Sequence, residues 1–181
     1  MERSKKIVLV ANCLLNTNAK VDGISTVSGA SPLIIKLVEA GYGIIQLPCV
    51  EMAMFGCQRW GVVYEQCDFP SFRKKCRKLL DPIIDQVKDF IKHGYEIKAV
   101  IGADGSPNCA VNTTCSGPWG GELSGSIDYN DKISSISNVD GMGVMMEELQ
   151  SILTKDNIDI PFCAISENDM SSFEDISDIL F

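Results

Sequence analysis

Lys6-Ile7-Val8-Leu9-Val10-Ala11-Asn12-Cys13 is the stretch that decides the fold. Ile7 to Ala11 are apolar without alternation and rich in branched side chains, the pattern of a strand covered on both faces of a parallel sheet. The run is too short for a secretory leader. It ends at a polar residue followed by a thiol. The same arrangement recurs twice further along. Gly43 to Leu47 forms a second strand and runs into Pro48-Cys49-Val50-Glu51, and Ile97 to Gly102 forms a third and runs into Ala103-Asp104-Gly105-Ser106-Pro107-Asn108-Cys109.

Helical signals separate these strands. Ser31-Pro32 supplies an N-cap and a first-turn proline, Leu33, Leu37 and Val38 give the apolar stripe, and Gly41 stops it. Asp68-Phe69-Pro70 opens a longer helix with Leu79, Leu80, Ile83, Ile84, Val87, Phe90 and Ile91 on one side. His93-Gly94 closes it, and Pro82 is expected to kink or divide it. Asn112 to Asp131 is rich in Gly, Ser and Thr and reads as a loop or hairpin excursion. Val139 to Leu153 reads as a helix and Ile160 to Ile165 as a fourth strand. The order predicts an α/β protein: a single three-layer, doubly wound domain over residues 1–181, with a mostly parallel sheet of four to five strands and helices on both faces. In such sheets ligands bind beyond the carboxyl ends of the strands. The tail over 166–181, acidic and without Lys or Arg, reads as a short helix from Ser172 or a frayed end.

Composition narrows the partners. With 181 residues the chain buries roughly two-thirds of its unfolded surface without disulfides, so its eight cysteines are available for chemistry. No apolar stretch approaches the ~20 residues that span a bilayer, which places the protein in a reducing cytoplasm where thiols stay reduced or bind metal. A net charge of -8 and a pI near 4.6 argue against nucleic acid, whose binding needs clustered cations. The basic run Arg73 to Lys78 reads as a solvated helix face. A small molecule is the expected partner, and the oligomeric state stays open.

Cys163 lies inside the fourth strand and Cys76 on the basic helix, both as packing, while Cys57 and Cys67 read as loop thiols. Cys13, Cys49 and Cys109 differ, because each stands where a strand gives way to a loop. They are 36 and 60 residues apart, and no C-x-x-C occurs, so neither a zinc ribbon nor a ferredoxin run is present. Cys115, six residues after Cys109, is within reach of a metal as a fourth ligand. The only histidine, His93, caps a helix, which excludes Ser-His and Cys-His catalysis. Gly141-Met142-Gly143 matches no phosphate-binding motif.

Cys13-Leu14-Leu15-Asn16, Cys49-Val50-Glu51 and Ser106-Pro107-Asn108-Cys109-Ala110, with Asp22-Gly23 between the first two, resemble the motifs of the thiouracil desulfurase (TudS-like) family of desulfidases, formerly a domain of unknown function. Order and strand placement agree over roughly residues 6 to 153. Asn16, Val50, Asn108 and Ala110 depart from the family pattern of Gly, Pro, Ser and Gly, and mark a divergent branch. The resemblance implies a [4Fe-4S] cluster on Cys13, Cys49 and Cys109 with one iron open to a thiocarbonyl sulfur. It implies Glu51 as the catalytic proton carrier and Ser106 as a hydroxyl that positions water or substrate. The substrate it implies is a small thiolated compound of the thiouracil kind, converted from C=S to C=O without net redox. Asp22, Asp104 and Trp119 are candidate substrate contacts; Asp104 is equally suited to capping its turn, and Trp119 to packing in its loop. The competing reading is a sulfur carrier, electron-transfer or redox-sensing module whose cluster Cys115 closes.

Overall fold

The computed structural model describes residues 2–122, 124, 128–166, 176 and 180. Strand β1, Lys6–Val10, is the centre of the fold. Its residues Ile7 to Val10 are all buried, as an unbroken apolar run requires when layers cover both faces. It pairs in parallel with β2, Gly43–Gln46, on one side and with β3, Glu96–Ala103, on the other. β6, Phe162–Ile165, extends the sheet in parallel beyond β3, giving the order β2-β1-β3-β6. The chain therefore moves outward from β1 to β2 and then returns to the far side of β1. That reversal creates a crevice at the carboxyl ends of β1 and β3.

Short helices that the sequence did not announce redirect the chain at those ends. Asn12–Leu15 forms α1 directly after β1, and Val50–Phe55 forms α3 directly after β2. Between them α2, Pro32–Glu39, starts at Ser31, whose hydroxyl accepts from the Leu33 N–H. Pro70–Lys92 forms α4. Pro82 does not divide it: Phe72, Cys76, Leu80, Ile84 and Val87 bury one continuous stripe that crosses the proline, and that burial outweighs the lost backbone bond. His93 is its C-cap.

The region after Cys109 departs from the expectation in one place. Thr113–Ser116 is strand β4, and its partner is β5, Ser137–Asp140, where the start of a helix was expected. Val139 pairs with Thr114 across an antiparallel ladder, so its branched side chain serves a strand. The intervening helix α5 is Tyr129–Ser134, and the last long helix, α6, begins at Val144 and runs to Lys155. Gly143 marks that start because α6 presses on the Cys109 loop: a Cβ at Gly143 would lie 2.4 Å from the Asn108 carbonyl carbon. Arg73 ties α4 to α6 through Glu147 at 2.6 Å and Glu148 at 3.1 Å, and Arg77 adds a second bond to Glu148 at 2.6 Å. The basic run is thus partly neutralised within the molecule.

One apolar cluster extends from Ile7 to Leu180. Most of the acidic tail lies outside the described residues; of its positions, Ile176 and Leu180 are helical and buried, and the Tyr42 hydroxyl donates to the Leu180 carbonyl at 2.5 Å.

Candidate functional site

Cys13, Cys49 and Cys109 arrive from three different strand ends at a single cavity of about 410 Å³. Cys13 sits in the first turn of α1, which is held against the sheet by the Ala11 N–H donating to the Ile101 carbonyl at 2.9 Å. Cys49 is the N-cap of α3, and its sulfur accepts from the Met52 N–H at 3.4 Å. Cys109 lies in a loop gripped from three directions. The Ser106 hydroxyl oxygen accepts from the Asn108 and Cys109 N–H groups at 3.2 and 3.0 Å. The Cys109 carbonyl accepts from Ala103 N–H at 2.8 Å. Gly143, Val144 and Met146, at the start of α6, donate to Ala110, Pro107 and Asn108 carbonyls. Gly102 permits this folding back, because a Cβ there would meet the Cys109 carbonyl oxygen at 2.3 Å.

Three of the cavity thiols, Cys109, Cys49 and Cys115, are shifted upward from the ordinary thiol range. A hydrogen bond with Cys13, then burial, lifts the Cys109 thiol well above its ordinary range. Burial also raises Cys49, against the lowering effect of the Met52 N–H and the nearby Arg59 charge. Cys115, on β4, lines the same cavity, with its sulfur 3.4 Å from the Val62 carbonyl, and burial pushes it up to about 11. Among the described residues, no group of three or more His, Cys, Asp and Glu side chains is arranged to hold a metal ion.

Glu51 enters the cavity from the first turn of α3. Asn108 Nδ2 donates to its Oε1 at 3.0 Å and Arg59 Nε to its Oε2 at 3.3 Å. Arg59 also donates to the Gly56 and Ala19 carbonyls at 3.2 and 2.7 Å, which joins α3, the 56–62 segment and the loop after α1. Asn108 is 1% exposed; its Nδ2 also lies 3.5 Å from Cys67, and its Oδ1 has no partner among the described residues. Neither Arg59 nor the role of Asn108 was visible in the sequence. The only signal was that Asn108 lies beside a candidate ligand and departs from the motif.

Ser106 and Asp104 line the cavity as well. The Asp104 carboxylate is largely consumed by its own loop, accepting from the Val111 and Asn112 N–H groups and the Asn112 side chain, each at 2.9 Å. Asp22 is exposed and Trp119 lies elsewhere, neither being a wall residue. Trp119 Nε1 donates to the Gly61 carbonyl at 3.0 Å, so it braces the segment that carries Arg59.

Fold and site together define a parallel α/β protein with four thiols and a partly buried carboxylate in the crevice where the strand order reverses. No protein-family model matches the chain. The uncharacterized protein MJ0003 of Methanocaldococcus jannaschii is 36% identical over 110 residues, which is 60% of this chain and 70% of that protein. The chain belongs to the family of that archaeal protein. A solved structure of TudS, a [4Fe-4S]-dependent thiouracil desulfidase, is 14% identical and covers 96% of this chain and 99% of that one, with a TM-score of 0.47.

Proposed function

We propose that this protein is a cluster-dependent desulfidase of the cytoplasm, in which Cys13, Cys49 and Cys109 hold a [4Fe-4S] cluster and the cavity removes sulfide from a small thiolated heterocycle, turning C=S into C=O. The observation that carries this reading is the convergence of three thiols, each from a separate strand end, with a firmly held carboxylate on one cavity.

The donor set fits such a group. Three cysteines delivered from separate segments to one cavity are the donor type by which an iron-sulfur cluster would be held. Cys13 and Cys109 share a hydrogen bond, so holding a cluster would require both of them to lose their protons. When bound, the cluster supplies a Lewis-acidic iron with affinity for soft sulfur.

The chain's own groups do the rest. Glu51 moves a proton between water and the heterocycle, and Arg59 and Asn108 fix both of its oxygens so that the transfer geometry is set before substrate arrives. Ser106 spends its oxygen lone pairs on the Cys109 loop, leaving its O–H to orient water. No electrons are exchanged, since hydrolysis of C=S yields C=O and sulfide.

The test is sulfide release from a thiolated pyrimidine by anaerobically reconstituted protein. The proposal expects stoichiometric sulfide and the oxo product; iron-loaded protein that yields neither would refute it. The position of Cys115 on the same cavity favours a second reading, a closed cluster with four thiolates. Cys115→Ser separates the two: unchanged cluster absorbance supports the open site, and loss or a large shift of the absorbance supports the closed one.

A further inference from the structure

Arg59 has hydrogen-bonding capacity that holding Glu51 does not use. Its side chain is 5% exposed, yet it is part of the cavity wall. A guanidinium carries five N–H donors in a planar fork. Three are placed, on the Glu51 carboxylate and on the Gly56 and Ala19 carbonyls. Among the described residues the remaining N–H on Nη1 and that on Nη2 have no protein acceptor. Buried donors without acceptors are costly, and the cavity is where an acceptor can reach them.

Charge decides what that acceptor is. Among the described residues Lys20 and Arg59 are the cations of the cavity wall and Glu51 and Asp104 its carboxylates, so their formal charges cancel. Arg59 is moreover paired with Glu51 at 3.3 Å. An anionic ligand group would gain little from a cation already neutralised and would approach Glu51 at close range. A neutral acceptor loses nothing to that carboxylate and satisfies the spare donors. We propose that Arg59 is a substrate-specificity residue that donates to a carbonyl oxygen carried on the same ring as the thiocarbonyl. This deepens the desulfidase reading and rests on it.

The experiment compares two neutral rings on iron-loaded protein under anaerobic conditions: 2-thiouracil, which carries a ring carbonyl, and pyrimidine-2-thione, which lacks it. Wild-type protein is expected to prefer 2-thiouracil by roughly 10- to 100-fold in kcat/KM, the range for one hydrogen bond to a charged donor. Arg59→Lys and Arg59→Met are expected to lower kcat on both rings alike by loosening Glu51 and, in addition, to bring the KM values of the two rings level. A merely structural arginine would weaken both rings equally and leave the preference intact. Equal use of the two rings by wild-type protein, or a preference retained in both variants, overturns the proposal. Should the variants fail to load iron, equilibrium dialysis of the two rings against metal-free wild-type and Arg59→Lys protein decides: a wild-type preference for 2-thiouracil that the variant loses upholds the proposal, and equal binding by wild type or a preference the variant keeps overturns it. If loaded wild-type protein releases sulfide from neither ring, the desulfidase reading fails instead. The same dialysis then decides the role of Arg59: tighter binding of 2-thiouracil by wild type but not by Arg59→Lys upholds it, and equal binding by wild type or a preference retained in Arg59→Lys overturns it.

Discussion

Glu51 and Asp104 are both carboxylates of the cavity wall, but they are held in different ways. Asp104 spends Oδ1 on backbone N–H groups of its own loop and Oδ2 on the Asn112 side chain, whereas Glu51 is held by two side chains, Asn108 and Arg59, that other segments deliver. Only Glu51 can release or take a proton without undoing a turn. Glu51→Gln is accordingly expected to keep iron content and fold while lowering kcat roughly 10²- to 10⁴-fold, read as sulfide release beside the cluster absorbance. An active, iron-loaded Glu51→Gln protein removes the residue from the mechanism. Cys49→Ala is expected to lose cluster and turnover together, measured as iron per chain. The positions of the three thiols and Glu51 were legible in the sequence because each lies within a few residues of a strand end. Arg59 was not, since it reaches Glu51 across the Gly56 turn, where φ is 79°, and no periodicity records such a reach.

At the scale of elements, the sequence made the parallel strands plain because buried strands need unbroken apolar runs, as in Ile7 to Val10 and Ala99 to Ala103. It misplaced the start of α6. Val139 satisfies a helical or a strand pattern equally when only a few residues are read, and the partner that decides between them, Thr114, is 25 residues earlier. The short helices α1 and α3 were equally hidden, being too brief to show a period. Gly141-Met142-Gly143, which matched no phosphate motif, serves the packing instead, since Gly143 lets α6 close on the Cys109 loop. Gly143→Ala is expected to destabilise the protein by about 1–3 kcal/mol, the usual cost of overpacking, and to slow cluster uptake because the Cys109 loop must shift. Urea unfolding and the rate of iron incorporation check the two parts separately; an unaltered urea midpoint contradicts the close packing at Gly143.

Across the whole molecule, several thiols are buried without a place in the proposed reaction. Burial raises Cys67, Cys76 and Cys163 from 9.0 to about 12. A raised value in the folded state means that the folded protein keeps protons which the unfolded chain loses first. The resulting stability is fully present below about pH 9 and is lost as pH climbs toward about 12. Metal-free protein is therefore expected to show a falling urea midpoint from about pH 9 upward, with a shallower fall in the Cys76→Ala/Cys163→Ala double variant; equal slopes would contradict the burial of these thiols. Cluster binding acts in the opposite direction, since a ligand of the folded state alone raises the melting temperature. The strand order β2-β1-β3-β6 makes all of this one problem: it places the ends of β1 and β3 side by side and brings Cys49 in from β2. The most direct test is the iron and acid-labile sulfide content of anaerobically reconstituted wild-type protein, with its electron paramagnetic resonance spectrum before and after addition of a thiolated pyrimidine. A three-thiolate cluster site predicts about four irons and four sulfides per chain and a spectrum that changes on addition. Protein that takes up no iron, or takes up as much when Cys13, Cys49 and Cys109 are all serine, contradicts it.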